Sequence, residues 1–144
     1  MEMLNRIMGY FLVLIAVVVA IHTVIEPLYY ISTETSPFSP IWLYIDVLMA
    51  LAILLGLVSS YNRKREIDLE DTITRPYLEA NILFYGYLFV GILFFWNWFN
   101  LLSPGFTAVG NETVSLVWVI IDAALPLLCG AMGISLLRED SNNG

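Results

Sequence analysis

Residues 41–65 read IWLYIDVLMALAILLGLVSSYNRKR. Between Ile41 and Tyr61 the only charged side chain is Asp46, and the apolar residues run on without the alternation of a barrel strand. A bilayer core about 30 Å thick is crossed by about 20 helical residues, each adding about 1.5 Å. Lipid offers the backbone no hydrogen-bond partner, so a continuous apolar run of this length must satisfy its own amides and carbonyls as a helix. Ser39-Pro40 prepares its start, with a capping hydroxyl and then a proline whose missing N–H costs nothing in a first turn. Asn62-Arg63-Lys64-Arg65 closes it, since basic side chains anchor at the headgroups.

Three more stretches share this character: Ile7–Ile25, Leu78–Leu102 and Val114–Leu137. Across all 144 residues 59% are apolar and 13% charged, with a mean hydropathy of +0.79. Soluble domains carry about 45–50% apolar and about a quarter charged residues, so the bilayer is the solvent. The length holds four spans with short connections and leaves no room for a soluble domain. The expected fold is all-α, an integral-membrane four-helix bundle forming one domain over residues 1–144. Pro76 with Glu79 opens the third span, Asn111-Glu112-Thr113 offers a cap for the fourth, and Ser141-Asn142-Asn143-Gly144 is expected to be an unstructured tail. Val18-Val19-Ala20 resembles a signal-peptide cleavage site, but Glu2 offsets Arg6 before it. The first stretch is therefore expected to be a membrane helix.

Orientation follows from the basic residues. Arg6 precedes the first span, Arg63, Lys64, Arg65 and Arg75 lie between the second and third, and Arg138 follows the fourth. All fall on one side, whereas Glu26–Pro40 and Ser103–Thr113 contain no Lys or Arg, so the positive-inside rule predicts cytoplasmic termini in a plasma-membrane protein. The outer loops carry Glu26, Glu34 and Glu112, and Tyr29, Tyr30, Trp42, Tyr44, Trp96, Trp98 and Trp118 form the expected interfacial belt. Asn111-Glu112-Thr113 is also a glycosylation sequon, which makes Asn111 a candidate acceptor. Between Asn62 and Tyr77 the basic cluster predicts a headgroup anchor, and Asp68, Glu70 and Asp71 a solvated loop or short surface helix.

Residue counts exclude several chemistries. The single cysteine, Cys129, sits in an apolar run and predicts a packed thiol, with no internal disulfide or CxxC pair. The single histidine, His22, cannot build a multi-histidine haem, copper or zinc site. A net charge of −7 speaks against nucleic acid as a partner. No phosphate loop or nucleophile elbow is present, so no catalytic residue and no cofactor is expected.

Ionisable groups inside a span are costly and face a partner or a cavity. His22 and Glu26 stand one turn apart at the outer end of the first span, Asp46 lies one to two turns inside the second, and Asp122 about two turns inside the fourth. These four are candidates for an outer cation, proton or metal patch built by three helices. The reading that the residues favour is structural, with His22 bonding Glu26 within its helix, and Asp46 or Asp122 bonding nearby Trp, Tyr or backbone donors. Trp42 with Asp46 and Trp118 with Asp122 make a short W-x-x-x-D echo in spans that run the same way, though the halves show no longer repeat. Pro126 removes the N–H that would bond the Asp122 carbonyl and predicts a bend in the fourth helix.

Small residues at four-residue spacing predict the packing faces: Ala52, Gly56 and Ser60 on the second span, Ala16 and Ala20 on the first, Cys129 and Gly133 on the fourth. The third span is ringed by Phe84, Tyr85, Tyr87, Phe89, Phe94, Phe95, Trp96, Trp98 and Phe99, with Asn97 and Asn100 near its outer end. One small bundle cannot bury rings on every side, so lipid or another integral-membrane subunit is expected to cover some of them.

In topology the chain resembles the small multi-span accessory subunits of respiratory complexes and of membrane-bound copper monooxygenases of the ammonia/methane type. The resemblance implies a non-catalytic, structural subunit of a larger membrane enzyme complex and assigns no residue a role. The alternative is a small homo-oligomeric cation- or proton-coupled carrier with Asp46 and Asp122 in its pathway. A quinone-linked oxidoreductase would need a cysteine pair or histidine ligands that this sequence lacks.

Overall fold

The computed structural model describes residues 2–67, 73–103, 105 and 108–143. These form four helices, α1 (Glu2–Tyr29), α2 (Trp42–Ile67), α3 (Arg75–Leu102) and α4 (Asn111–Asn143), with no strand among the described residues. Each contains a stretch long and apolar enough to cross a membrane. The helices outrun the apolar stretches because hydropathy marks only what the acyl chains can hold, while the backbone ladder continues into polar sequence.

Several end details differ from the expectations. The Arg63–Arg65 cluster lies in the last turns of α2, where cations suit the negative end of the helix dipole. The acidic residues expected next, Asp68, Glu70 and Asp71, lie outside the described residues. Residues 141–143 belong to α4 rather than to a tail, continuing its backbone ladder to Asn143. Asn111 is the first residue of α4 and not its cap, since the Gly110 carbonyl already accepts from Val114 N at 3.1 Å. Asn111 stands exposed there. Before α3, Thr74 caps the helix, its hydroxyl accepting from Tyr77 N at 3.4 Å with Pro76 in the first turn. Ser39 and Pro40 act one turn ahead of α2, their carbonyls accepting from Trp42 N and Leu43 N in tight i→i+3 turns.

Sequential helices run antiparallel, and α4 returns against α1, so both ends of the chain emerge at one end of the bundle, here the basic end. Contacts join every helix pair except α1 with α3, which occupy opposite corners. The closest approach is between α1 and α4: a Cβ on Gly133 would stand 2.8 Å from the Gly9 carbonyl oxygen and 3.0 Å from Val13 N. Backbones can approach this closely only where side chains are missing. Ala52, Gly56 and Ser60 are all buried as expected, and the Tyr87 ring of α3 lies directly on Gly56. Ala16 packs toward Gly130 of α4, but Ala20 is exposed, because the α1 seam turns at that level to follow Val19 and His22 inward.

The middle of the bundle is solid. Leu12, Met49, Ile53, Tyr87, Phe94, Ile121, Leu125, Cys129 and Met132 are each at most 1% exposed. At the basic end Arg63 donates to Ser135 Oγ and pairs with Glu79 at 3.6 Å and Glu139 at 3.5 Å, linking α2 to α3 and α4. The expected headgroup anchor is thus, at Arg63, an interhelical clamp. The opposite, acidic end is built differently.

Candidate functional site

Beyond Tyr29 the chain crosses to α2 through a compact loop. Thr33 and Ser36 exchange backbone hydrogen bonds, and Tyr30 bonds the Ser36 hydroxyl at 2.6 Å, so the turn is closed by its own side chains. Glu26 fastens the end of the loop. Its Oε1 accepts from Ser39 N at 2.7 Å, and its Oε2 from Trp42 Nε1 at 2.8 Å. The carboxylate thereby joins the last turn of α1 to the entry of α2, near the positive end of the α2 dipole.

The expected His22–Glu26 pair does not form, because both oxygens of Glu26 are taken up across the loop. His22 instead lies 7% exposed beneath the Trp42 indole, edge to face with ring centroids 4.6 Å apart, and its ring nitrogens lie 3.3 Å from Tyr29 Oη. The first helix therefore contributes a structural aromatic cluster, and His22 stays out of the acidic cavity.

That cavity, of about 470 Å³, opens beneath the loop between α1, α2 and α4. Glu26 lies on its wall, and Asp46 and Asp122 line it one turn beyond Trp42 and Trp118, which also line it. Three of the four candidate patch residues therefore meet here. The two halves of the W-x-x-x-D echo face one space, one on each of two parallel helices. Phe38 and Leu43 extend an otherwise mostly apolar lining.

Neither aspartate finds the donors expected for it. Trp42 gives its N–H to Glu26, not to Asp46. Asp46 is 4% exposed and makes no hydrogen bond or ion pair with the described residues. Asp122 Oδ1 is wholly buried without a hydrogen-bond partner. Such carboxylates are costly unless something answers them. No Lys or Arg is available, since every one lies in a segment at the basic end. Among the described residues no three His, Cys, Asp or Glu side chains are gathered closely enough to hold a metal ion. Of the expected patch, Glu26, Asp46 and Asp122 line one cavity together with Trp42 and Trp118.

Helix α4 passes through Pro126 as one element, so the expected bend does not interrupt it. The proline still leaves the Asp122 carbonyl without its usual donor, which adds acceptor character below the cavity. Toward α3, Phe94 packs edge to face on Trp118 and so fixes one indole wall. Asn97 donates to the Val114 carbonyl at 3.0 Å and ties α3 to the first turn of α4. Trp118, expected in the interfacial belt, is 7% exposed and belongs to the core.

The rings of α3 divide sharply. Tyr87 and Phe94 are fully buried, whereas Tyr85, Phe89 and Phe99 are more than half exposed on the outward side of the helix. The outward side of α1 carries the aliphatic Leu14, Val17, Ile21, Val24 and Leu28, with Tyr10 and Tyr29 exposed only toward its ends.

Fold and site together define a four-helix bundle of membrane-crossing length with a carboxylate-bearing cavity at one end. No protein-family model, curated protein or solved structure matches the chain.

Proposed function

We propose that this chain is a non-catalytic subunit of a larger integral-membrane enzyme complex, seated in the cell membrane with its basic end in the cytoplasm. The carrying observation is the outward face of α3, where Tyr85, Phe89, Trp96 and Phe99 remain exposed although the opposite face already holds the bundle together. Large rings are the side chains most enriched in protein interfaces, and the aliphatic middle of the outer face of α1, from Leu14 to Val24, is what lipid alone requires. A membrane-bound copper monooxygenase of the ammonia/methane type or a respiratory complex is the host class that the topology suggests.

Mild-detergent extraction from native membranes, native separation and mass spectrometry of co-migrating chains test this reading. Co-migration with a large enzyme, lost on Phe89→Ala with Phe99→Ala, is the expected result. Migration as a monomer or small homo-oligomer contradicts it.

A second reading has its own observation. Asp46 and Asp122 in one cavity favour a small cation- or proton-coupled carrier. The packed middle of the bundle leaves such a carrier no continuous path in this conformation, so it requires rearrangement of Ile53, Tyr87 or Leu125. Ion flux into proteoliposomes that falls by orders of magnitude in Asp46→Asn with Asp122→Asn supports the carrier, and absence of flux removes it.

A further inference from the structure

We infer that the acidic-end cavity binds an organic ammonium group, held between the Asp46 and Asp122 carboxylates and walled by the Trp42 and Trp118 indoles. The inference rests on the cavity alone and stands whether or not the chain moves its ligand or joins a complex.

Four observations meet in one place. The space, about 470 Å³, lies within the range of pockets that enclose small organic ligands. Asp46 is 4% exposed and unpartnered, and Asp122 Oδ1 is buried and unpartnered, so acceptors are present without donors. The bundle offers no internal cation to satisfy them, because all six basic residues sit at the other end. Trp42 and Trp118 belong to the lining, and indole is the side-chain ring that attracts cations most strongly.

The chemistry selects within the cations. A bare metal ion is best held by several charged or imidazole ligands at short distance, and among the described residues no three His, Cys, Asp or Glu side chains are gathered to supply them. An ammonium group on an apolar body matches both halves of the lining: N–H or N–CH contacts to the carboxylates and ring faces, and hydrocarbon against Leu43 and Phe38. Glu26 also lines the cavity, but each of its oxygens already accepts a hydrogen bond, from Ser39 N and Trp42 Nε1, so the unpartnered aspartates carry the recognition. Ammonium reaches this end of a bilayer from two sources, a free amine or the headgroup of an amino-phospholipid.

Isothermal titration calorimetry of the full chain in dodecyl maltoside, which carries no ammonium, tests the inference with 2-phenylethylamine and tetraethylammonium as probes and 2-phenylethanol as the neutral control. Saturable binding of at least one ammonium probe, at least tenfold tighter than the alcohol and weakened at least tenfold by Asp46→Asn and by Asp122→Asn, is expected. Unfolding midpoints of these variants without probe establish that they are folded. Binding of neither probe, equal affinity for amine and alcohol, or undiminished binding in the double variant overturns the inference; a pair neutralised by protons alone gives the second outcome. Competition by phosphatidylethanolamine but not phosphatidylglycerol assigns the guest to a lipid headgroup, and probe binding unaffected by both lipids assigns it to a free amine. Equal competition by phosphatidylglycerol overturns the inference, because the cavity then takes lipid regardless of ammonium.

Discussion

The two ends of this bundle handle charge in opposite ways. At the basic end Arg63 meets Ser135, Glu79 and Glu139, so three helices share one guanidinium and the charges answer each other. At the acidic end Asp46 and Asp122 face a cavity with no Lys or Arg at that end of the bundle. The first arrangement holds the bundle together and the second leaves acceptors for something else. Between them Glu26 shows that this sequence is able to satisfy an acid at the acidic end when it serves structure. The unanswered pair is therefore a feature of the cavity, not of the whole end.

Gly133→Leu attacks the frame that keeps the two ends distinct. Its side chain meets the Gly9 carbonyl and Val13 N, so α1 and α4 must separate. A loss of about 3 kcal/mol is expected in detergent unfolding, at the upper end of overpacking costs. A loss below about 1 kcal/mol would show that this contact yields easily.

Glu26→Ala brings the ends closer in character by loosening the acidic one. Ser39 N–H and Trp42 Nε1–H lose their acceptor, for an expected cost of about 2 kcal/mol, with faster proteolysis of the loop over residues 30–41. Unchanged cleavage would mean that the Tyr30–Ser36 turn alone holds the loop.

Arg63→Ala removes the basic clamp. Its side chain is 20% exposed and its partners 43% and 51%, so solvent screens the pairs and about 1 kcal/mol is expected, diminishing in high salt. A cost independent of salt would place the stabilisation in packing. Ser135→Ala sharpens the same point with the smallest effect, about 0.5 kcal/mol, read as a shift in unfolding midpoint.

Much of the architecture follows from composition and spacing. The four spans and the burial of Ala52, Gly56 and Ser60 needed only hydropathy and helical period. Asp46 and Asp122 stood out because charge in an apolar run is rare, and their W-x-x-x-D echo, only a few residues long, turned out to line one space. What the sequence withheld depends on backbone placed by turns. The donors to Glu26 are a loop amide and an indole on the next helix, and no spacing rule links residue 26 with residues 39 and 42. His22 was expected against Glu26 on i,i+4 geometry alone, and that competition decided otherwise. No spacing rule marks Gly9, because its small partner lies across the bundle at Gly133 rather than one turn along α1. Arg63 finds its clamp partners on two other helices, and the positive-inside pattern reports only which end it occupies.

The central claim is that Asp46 and Asp122 are there for a guest and do not hold the fold. The direct test is reversible unfolding of Asp46→Asn with Asp122→Asn in amine-free detergent, beside Arg63→Ala. Neutralising the buried Asp46 and the half-buried Asp122, whose Oδ1 is buried without a partner, relieves desolvation, so the double variant is expected to unfold at or above the native midpoint while Arg63→Ala unfolds below it. A double variant that falls as far as Arg63→Ala, or further, would contradict the claim and make the pair structural.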